Sequence, residues 1–86
     1  MKIKTFQQRL QSGKGVNHTY QADGKTGIIG IRRHEDKFVL TWEEFPEGEF
    51  HNEQNYTRDE VHHFKNVEEV LDFLKENKVN PRVFKP

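Results

Sequence analysis

Two adjacent histidines, His62 and His63, are the residues of this sequence that most resemble a chemical site. They follow the acidic residues Asp59 and Glu60 in the segment DEVHHF. Histidines near carboxylates could bind a metal ion, transfer a proton or respond to pH. Neighbouring side chains on a strand point to opposite faces, so the two histidines cannot share one ion in regular extended structure. We therefore expect one histidine to pack near a helix and the other to face solvent.

A metal site would need ligands from elsewhere in the chain, and the sequence offers no suitable set. His18, His34 and His51 form no helical i, i+4 pair, and there is no cysteine. Zinc sites normally have three or four N, S or O ligands in close geometry. The sequence thus predicts neither a metal nor another cofactor. For His18, which falls on a predicted apolar face, we favour a hydrogen-bonded structural histidine over a catalytic base.

Two other segments resemble catalytic or nucleotide-binding motifs. Gly24-Lys25-Thr26 ends like a phosphate-binding loop, but Thr19 stands where that motif has its first glycine. The motif must also open a helix, whereas a strand is predicted here. In WEEFPEGEF, the adjacent Glu43 and Glu44 point to opposite faces of a strand. Because no nucleophile, base and acid converge, we expect a protein without enzymatic activity.

The composition is that of one small, polar domain spanning residues 1–86. Hydrophobic residues make up 31% and charged residues 33%, and the mean hydropathy is −1.05, which borders on the composition of disordered chains. The zero net charge, seven Phe, two Tyr and one Trp favour a folded core instead. The lack of cysteine, and of an apolar stretch in MKIKTFQQRL, predicts a cytoplasmic protein without membrane contact.

Two turns position the predicted strands. Asp23-Gly24 is a residue pair favoured in two-residue hairpin turns, and Glu35-Asp36 is the centre of a second turn. Both turns predict the same apolar face, which a slip of one residue would destroy. That face is predicted to hold Val16, His18, Tyr20, Ile29, Ile31, Phe38, Leu40 and Trp42. A further strand is expected near residues 56–64, after a loop at residues 52–55.

A helix is predicted after Asn66, which can cap it together with Glu69 in a capping box. Its apolar stripe consists of Val67, Val70, Leu71 and Leu74. Residues 3–11 also fit a short helix, which we favour, although MKIKT is compatible with an edge strand. The predicted fold class is α+β: an antiparallel β-meander of about four strands with a C-terminal helix packed on one face.

Apolar residues outside the predicted core favour a binding function. Ile28 and Val39 lie on the second face of the sheet, Phe73 lies off the helix stripe, and Phe84 belongs to the C-terminal tail, residues 79–86. We expect these four residues to contact a protein partner, most simply a second copy in a homodimer. The alternative for the tail is that it covers the edge of its own domain.

Single-stranded nucleic acid is the second partner that the sequence suggests. Residues 1–33 carry seven basic residues and one acidic residue, whereas residues 34–60 carry two basic and nine acidic residues. Lys14, Lys25, Arg32 and Arg33 are the candidate phosphate contacts of this basic half. A pI of about 7.0 is low for such a domain, so we favour attraction between neighbouring strands of opposite charge.

Overall fold

The computed structural model describes residues 1–86. The elements are α1 (Ile3–Gln11), β1 (Val16–Ala22), β2 (Lys25–His34), β3 (Lys37–Pro46), β4 (Arg58–Phe64) and α2 (Val67–Glu76). Short 3-10 turns cover Glu53–Asn55 and Pro81–Val83. The strands form one antiparallel sheet in the order β1-β2-β3-β4. The fold is therefore the predicted α+β meander with a C-terminal helix on the sheet, and the N-terminal segment is a helix. Neither α-helix has the length and apolar character needed to cross a membrane.

Both predicted hairpin registers are confirmed. Tyr20 pairs with Gly27 across the first hairpin, and Ile29 pairs with Trp42 across the second. The turn residues Asp23 and Glu35 have φ values of 54° and 59°, the left-handed conformation that tight hairpin turns require. The sequence signals the first turn because Asp and Gly tolerate that conformation, whereas the second turn follows from the continuous apolar face that it creates.

The strand pairing gives the sheet two chemically different faces. The covered face, which the helices pack on, carries Val16, His18, Tyr20, Ile29, Ile31, Phe38, Leu40, Trp42, Glu44, Arg58, Glu60, His62 and Phe64. The open face carries Asn17, Thr19, Gln21, Thr26, Ile28, Arg32, Val39, Thr41, Glu43, Phe45, Asp59, Val61 and His63. The covered face also carries Lys25 and Arg33 near the two ends of β2, and its other charged residues lie on β4 and the adjoining end of β3.

The core lies between the covered face and the two helices. Phe6 and Leu10 of α1 and Val70 and Leu74 of α2 are fully buried there. Phe84 is also fully buried, with its ring edge-on to that of Phe6 at a centroid distance of 5.5 Å. The tail thus covers its own domain, which corrects the expectation that Phe84 contacts a partner: no surface of that side chain remains accessible.

Specific contacts hold the tail in this position. Asn17 and Lys85 form a β-bridge, with backbone N–H···O distances of 2.8 and 2.7 Å. The N-terminal ammonium of Met1 donates hydrogen bonds to the carbonyl oxygens of Arg82 (2.7 Å) and Phe84 (3.2 Å). Because these contacts join both ends of the chain, the tail is part of the fold and covers the outer side of β1.

Strand β4 begins at Arg58, two residues later than the expected strand near residues 56–64. Tyr56 instead stacks on Phe45, with ring centroids 5.0 Å apart. The Thr57 backbone N–H donates to the Glu44 carbonyl at 2.7 Å, and the regular ladder follows it. The aromatic contact of Tyr56 is with the open face, whereas Phe64 lies on the covered face, so the two rings do not belong to one face of a regular strand.

The ends of α2 contain two identifiable capping motifs. Asn66 Oδ1 accepts from the Glu69 N–H at 2.9 Å, as predicted, whereas the Glu69 carboxylate accepts from the Lys65 N–H at 2.8 Å. At the other end, the Val79 N–H donates to the Leu74 carbonyl, and the Lys78 N–H to that of Lys75. This is a Schellman motif, and its left-handed residue is Lys78, with a φ of 59°.

Lys78→Gly should therefore stabilise the fold. Glycine takes the left-handed conformation without the Cβ clash that costs an L-residue about 1–2 kcal/mol. Chemical denaturation should show a higher free energy of unfolding by about 1 kcal/mol. Lys75→Gly is the matched control, because it places glycine inside the last helical turn and should cost about 1 kcal/mol. Equal loss from both substitutions would contradict this account of Lys78.

Gly27→Ala should destabilise the sheet. A Cβ atom at position 27 would overlap the ring of Tyr20, its cross-strand partner. The expected loss in free energy of unfolding is about 1–3 kcal/mol, typical of overpacking at a fixed side chain. Gly30→Ala is the control, because its nearest neighbour is Thr41 Oγ1 at 3.3 Å. A Tyr20→Leu background should remove most of the difference between the two glycine variants in denaturant melts.

Candidate functional site

Strand β4 is an edge strand without a second partner. It pairs with β3 on one side only, and no other segment forms backbone hydrogen bonds with its outer side. The opposite edge of the sheet, β1, is partly covered by the bridge between Asn17 and Lys85. An edge strand presents a row of backbone donors and acceptors to which another chain can pair. The exposed edge of β4 is therefore a candidate binding site.

The side chains of β4 follow a symmetric order of charge around Val61. Asp59 and Glu60 precede this residue, and His62 and His63 follow it. Val61 itself lies on the open face and is 58% exposed, among the most exposed large hydrophobic residues of the chain. The site thus has an accessible apolar centre, with acids on one side and histidines on the other.

Short polar contacts order the covered-face side chains of β4. The Arg58 guanidinium lies 3.2 Å from Glu60 Oε2, and His62 Nε2 lies 2.9 Å from Glu60 Oε1. All three side chains remain about one-third exposed, with values of 33–35%. Both Glu60 and His62 therefore have accessible surface for contacts with another molecule.

The two histidines lie on opposite faces, as expected for a strand. His62 packs on Phe73 of α2, with ring centroids 4.5 Å apart, whereas His63 is exposed on the open face. No group of three or more His, Asp or Glu side chains is arranged to hold a metal ion. The chemistry of this pair is thus that of two separate hydrogen-bonding groups.

A hydrogen-bonded network lies at the other end of the covered face. Trp42 Nε1 donates to the Tyr20 hydroxyl at 3.0 Å, and that hydroxyl donates to Glu44 Oε2 at 2.6 Å. The Thr57 hydroxyl donates to Glu44 Oε1 at 2.9 Å. The guanidinium carbon of Arg58 lies 3.9 Å from the centroid of the Trp42 ring, a cation–π contact. The network fixes the Tyr20 ring in place.

These contacts shift two pKa values away from neutrality. The hydrogen bond from Tyr20 is the main cause that lowers the pKa of Glu44 below its ordinary 4.5. Burial is the main cause that raises the pKa of Tyr20 above its ordinary 10.0. At neutral pH Glu44 is therefore ionised and Tyr20 protonated, so the arrangement favours a fixed structural network over proton exchange.

His18 lies next to this network on the covered face. Its ring stacks beside that of Tyr20, with centroids 5.7 Å apart and 27° between the planes. Burial is the main cause that lowers the pKa of His18 from 6.5, opposed by a hydrogen bond with the Val83 backbone. The ring also packs beside Phe84, with centroids 5.7 Å apart, so its contacts are those of a packed side chain.

A groove of about 420 Å³ opens between these rings and the segment after α2. His18, Tyr20 and Trp42 line its sheet side, and Lys78, Val79 and Asn80 line the opposite side. The sequence gave no signal for this groove, because its two sides are separated by more than thirty residues along the chain.

The four candidate partner-binding residues have different surroundings. Ile28 is half-buried on the open face, and Val39, on the same face, is 6% exposed. Phe73 contacts Trp42 edge-on at 6.3 Å and also packs on His62, so it widens the buried side of α2. Phe84 is in the core. The sequence interpretation missed Val61, although the order of charges around it was a readable signal.

The candidate phosphate contacts do not form one basic surface. Lys14, Arg32 and Arg33 lie near the C-terminal end of β2, where Arg33 donates to the Gln11 carbonyl. Lys25 lies at the other end of β2, 4.0 Å from Glu44. Eight residues of strand separate Lys25 from Arg33, or about 26 Å. Arg32 and Arg33 also point to opposite faces.

Comparison of the chain with protein-family models, curated proteins and solved structures finds no match. The class of protein that the fold and the site define is a small α+β domain with an unpaired sheet edge at β4 and a groove between the sheet and the segment after α2.

Tyr20→Phe should weaken the dependence of stability on acid pH. The lowered pKa of Glu44 stabilises the folded state at pH values above 4.5, and this contribution is lost as the pH falls through the folded-state pKa. The hydroxyl of Tyr20 is its main cause, so the variant should lose less stability between about pH 5 and pH 3. Denaturant melts across this range measure the slope. Thr57→Val, which removes a weaker contributor, should change it less.

Proposed function

We propose that this protein is a non-enzymatic binding module that assembles as a homodimer through β4. The observation that carries the proposal is the symmetric order of acids and histidines around Val61 on an edge strand with no partner. In such a dimer, β4 of each copy extends the sheet of the other, in the manner of β-strand addition. A two-fold axis through Val61 makes the contact isologous, with the same residues on both sides.

Antiparallel pairing centred on Val61 brings opposite charges together. Glu60 of one copy lies opposite His62 of the second copy on the covered face. Asp59 lies opposite His63 of the second copy on the open face. Histidine can donate a hydrogen bond to a carboxylate, and the attraction strengthens when the ring is protonated. Opposite cross-strand charge pairs contribute about 0.2–1 kcal/mol each, and the symmetry doubles both pairs.

Other registers of the same edge are less favourable. In the paired sheet, residues of the covered face must lie opposite residues of the covered face of the second copy. The two-fold axis must therefore pass through a residue of β4, and an alternative register places it at a different residue. A centre at Glu60 would place the two Glu60 carboxylates opposite each other. A centre at His62 would pair the two imidazoles. Like charges directly opposite destabilise a strand pair, so Val61 is the favoured centre.

The apolar contact at the centre also supports this register. Val61 is 58% exposed, and pairing would bring it against Val61 of the second copy on the open face. Arg58 would lie opposite Phe64 of the second copy on the covered face, where its guanidinium can pack on the ring. Phe73 lies beside His62, so α2 would border the new contact.

The remaining chemistry of the covered face supports a role without catalysis. Glu44 and Tyr20 are hydrogen-bonded to each other within the fold, and the shifts in their pKa values keep each in one charge state near neutral pH. We place this binding module in the cytoplasm, because a chain without cysteine needs no oxidising compartment.

Reciprocal charge reversal tests the dimer. One variant carries Asp59→Lys and Glu60→Lys, and the other carries His62→Glu and His63→Glu. In each variant alone, all four cross-strand pairs become like-charged or unpaired, and the dimer dissociation constant should rise at least about thirtyfold. Sedimentation velocity over a concentration series measures this change against the unmodified chain.

An equimolar mixture of the two variants provides the decisive comparison. In the mixed dimer, lysines lie opposite glutamates and the original acids lie opposite the original histidines, so association should return. Circular dichroism of each variant checks that the fold is intact. A monomeric unmodified chain at millimolar concentration, or a mixture that stays monomeric, would exclude the proposed edge. Arg32→Glu, away from β4 on the open face, is the control and should leave the dimer unchanged.

A further inference from the structure

We propose that the groove between His18, Tyr20 and the segment Lys78–Asn80 binds a small planar aromatic molecule that carries one carboxylate. This site lies toward β1, away from the β4 edge, and does not depend on the dimer. The inference rests on three features of the groove: a fixed aromatic surface, one unpaired cation, and a volume suited to one small molecule.

The first feature is the fixed ring of Tyr20. One side of this ring lies against Gly27, so closely that a Cβ atom there would overlap it. The hydroxyl is held by Glu44 and Trp42 at 2.6 and 3.0 Å. The ring therefore cannot rotate freely, and Tyr20 lines the groove in this fixed position. A ring that is already fixed loses little conformational entropy when a ligand stacks on it.

His18 extends this aromatic surface along β1. Its ring stacks with that of Tyr20, with the centroids 5.7 Å apart and 27° between the planes, and both residues line the groove. Ile29 and Val79 add apolar surface to the groove. A flat aromatic molecule matches such an aromatic lining better than a branched aliphatic one, because aromatic rings gain energy from stacked or edge-to-face contacts with each other.

The second feature is Lys78. Its ammonium makes no ion pair, and no Asp or Glu lines the groove. The residue also occupies the left-handed position of the Schellman motif, with a φ of 59°, where glycine is the most stable choice. Lys78 thus lines the groove from a backbone conformation that costs a non-glycine residue stability. A lone cation at the rim of an apolar groove fits a ligand with a single negative charge.

The third feature is size. The groove volume of about 420 Å³ lies near the lower end of small-molecule sites, which range over about 300–1,000 Å³. It accommodates one or two fused rings with a carboxylate. It is too short for an extended peptide or for several nucleotides. The carboxylate would contact Lys78 and the side-chain amide of Asn80, while the rings lie on Tyr20 and His18.

Titration of the full chain with 2-naphthoate tests this site. Trp42 is the only tryptophan and lines the groove, so its fluorescence reports binding there. Calorimetry measures the affinity independently. We expect saturable binding of 2-naphthoate, and binding at least about tenfold weaker for the uncharged 2-naphthylmethanol, because the latter cannot form the charge-assisted contact.

Lys78→Gly separates binding from folding. This variant should raise the unfolding midpoint and yet bind 2-naphthoate at least about tenfold more weakly, a combination that partial unfolding cannot produce. Lys75→Gln is the matched control, because Lys75 belongs to the same helix end and does not line this groove. It should leave the affinity unchanged. The proposal is overturned if 2-naphthoate does not bind, if both ligands bind equally, or if Lys78→Gly binds as tightly as the unmodified chain.

Discussion

The alternation of side chains in two hairpins with fixed registers is the constraint on which the rest of this structure depends. The turns at Asp23-Gly24 and Glu35-Asp36 allow one pairing, and that pairing places the bulky side chains of β1, β2 and β3 on a single face. A slip of one residue would expose Ile29 and bury its neighbours. The same pairing brings Tyr20 over Gly27, and Trp42 and Glu44 next to the hydroxyl of Tyr20. The apolar core, the hydrogen-bonded network around Tyr20 and the sheet side of the groove thus all follow from the registers of these two hairpins.

The helices bury the side chains of β1, β2 and β3 more fully than those of β4. The apolar residues of the covered face lie mainly on β1, β2 and β3, whereas β4 supplies Arg58, Glu60 and His62 to the same face. An unpaired edge strand risks uncontrolled pairing, and natural proteins often protect such edges with charged side chains. In β4 the charges are ordered, with acids before Val61 and histidines after it. In the proposed dimer, such an order would discourage most registers and favour one, so it would both protect the edge and select a second copy as the partner.

Lys78 shows how stability and a candidate site can compete at one position. The Schellman motif ends α2 at a fixed place, and the chain then returns across the sheet toward β1. A glycine would make this end more stable, but it would remove the only cation that lines the groove beside Tyr20. The buried Phe84 and the bridge to Asn17 hold the other end of the same segment. The strands therefore form one side of the groove, and the segment after α2, which is held at both ends, forms the other.

The sequence alone determined the elements whose signals are local. The two turns, the registers of the two hairpins that they close and the Asn66 cap of α2 follow from backbone preferences and from periods of two and about 3.6 residues, which a single chain displays directly. The register of β4 did not follow from these signals. Tertiary structure decided what depends on contacts between distant segments. It buried Phe84, which the sequence left free for a partner, because the tail meets α1 and β1 only after folding. It likewise brought Lys78 and Tyr20 to the same groove, since the distance between residues far apart in the chain follows from how the layers pack.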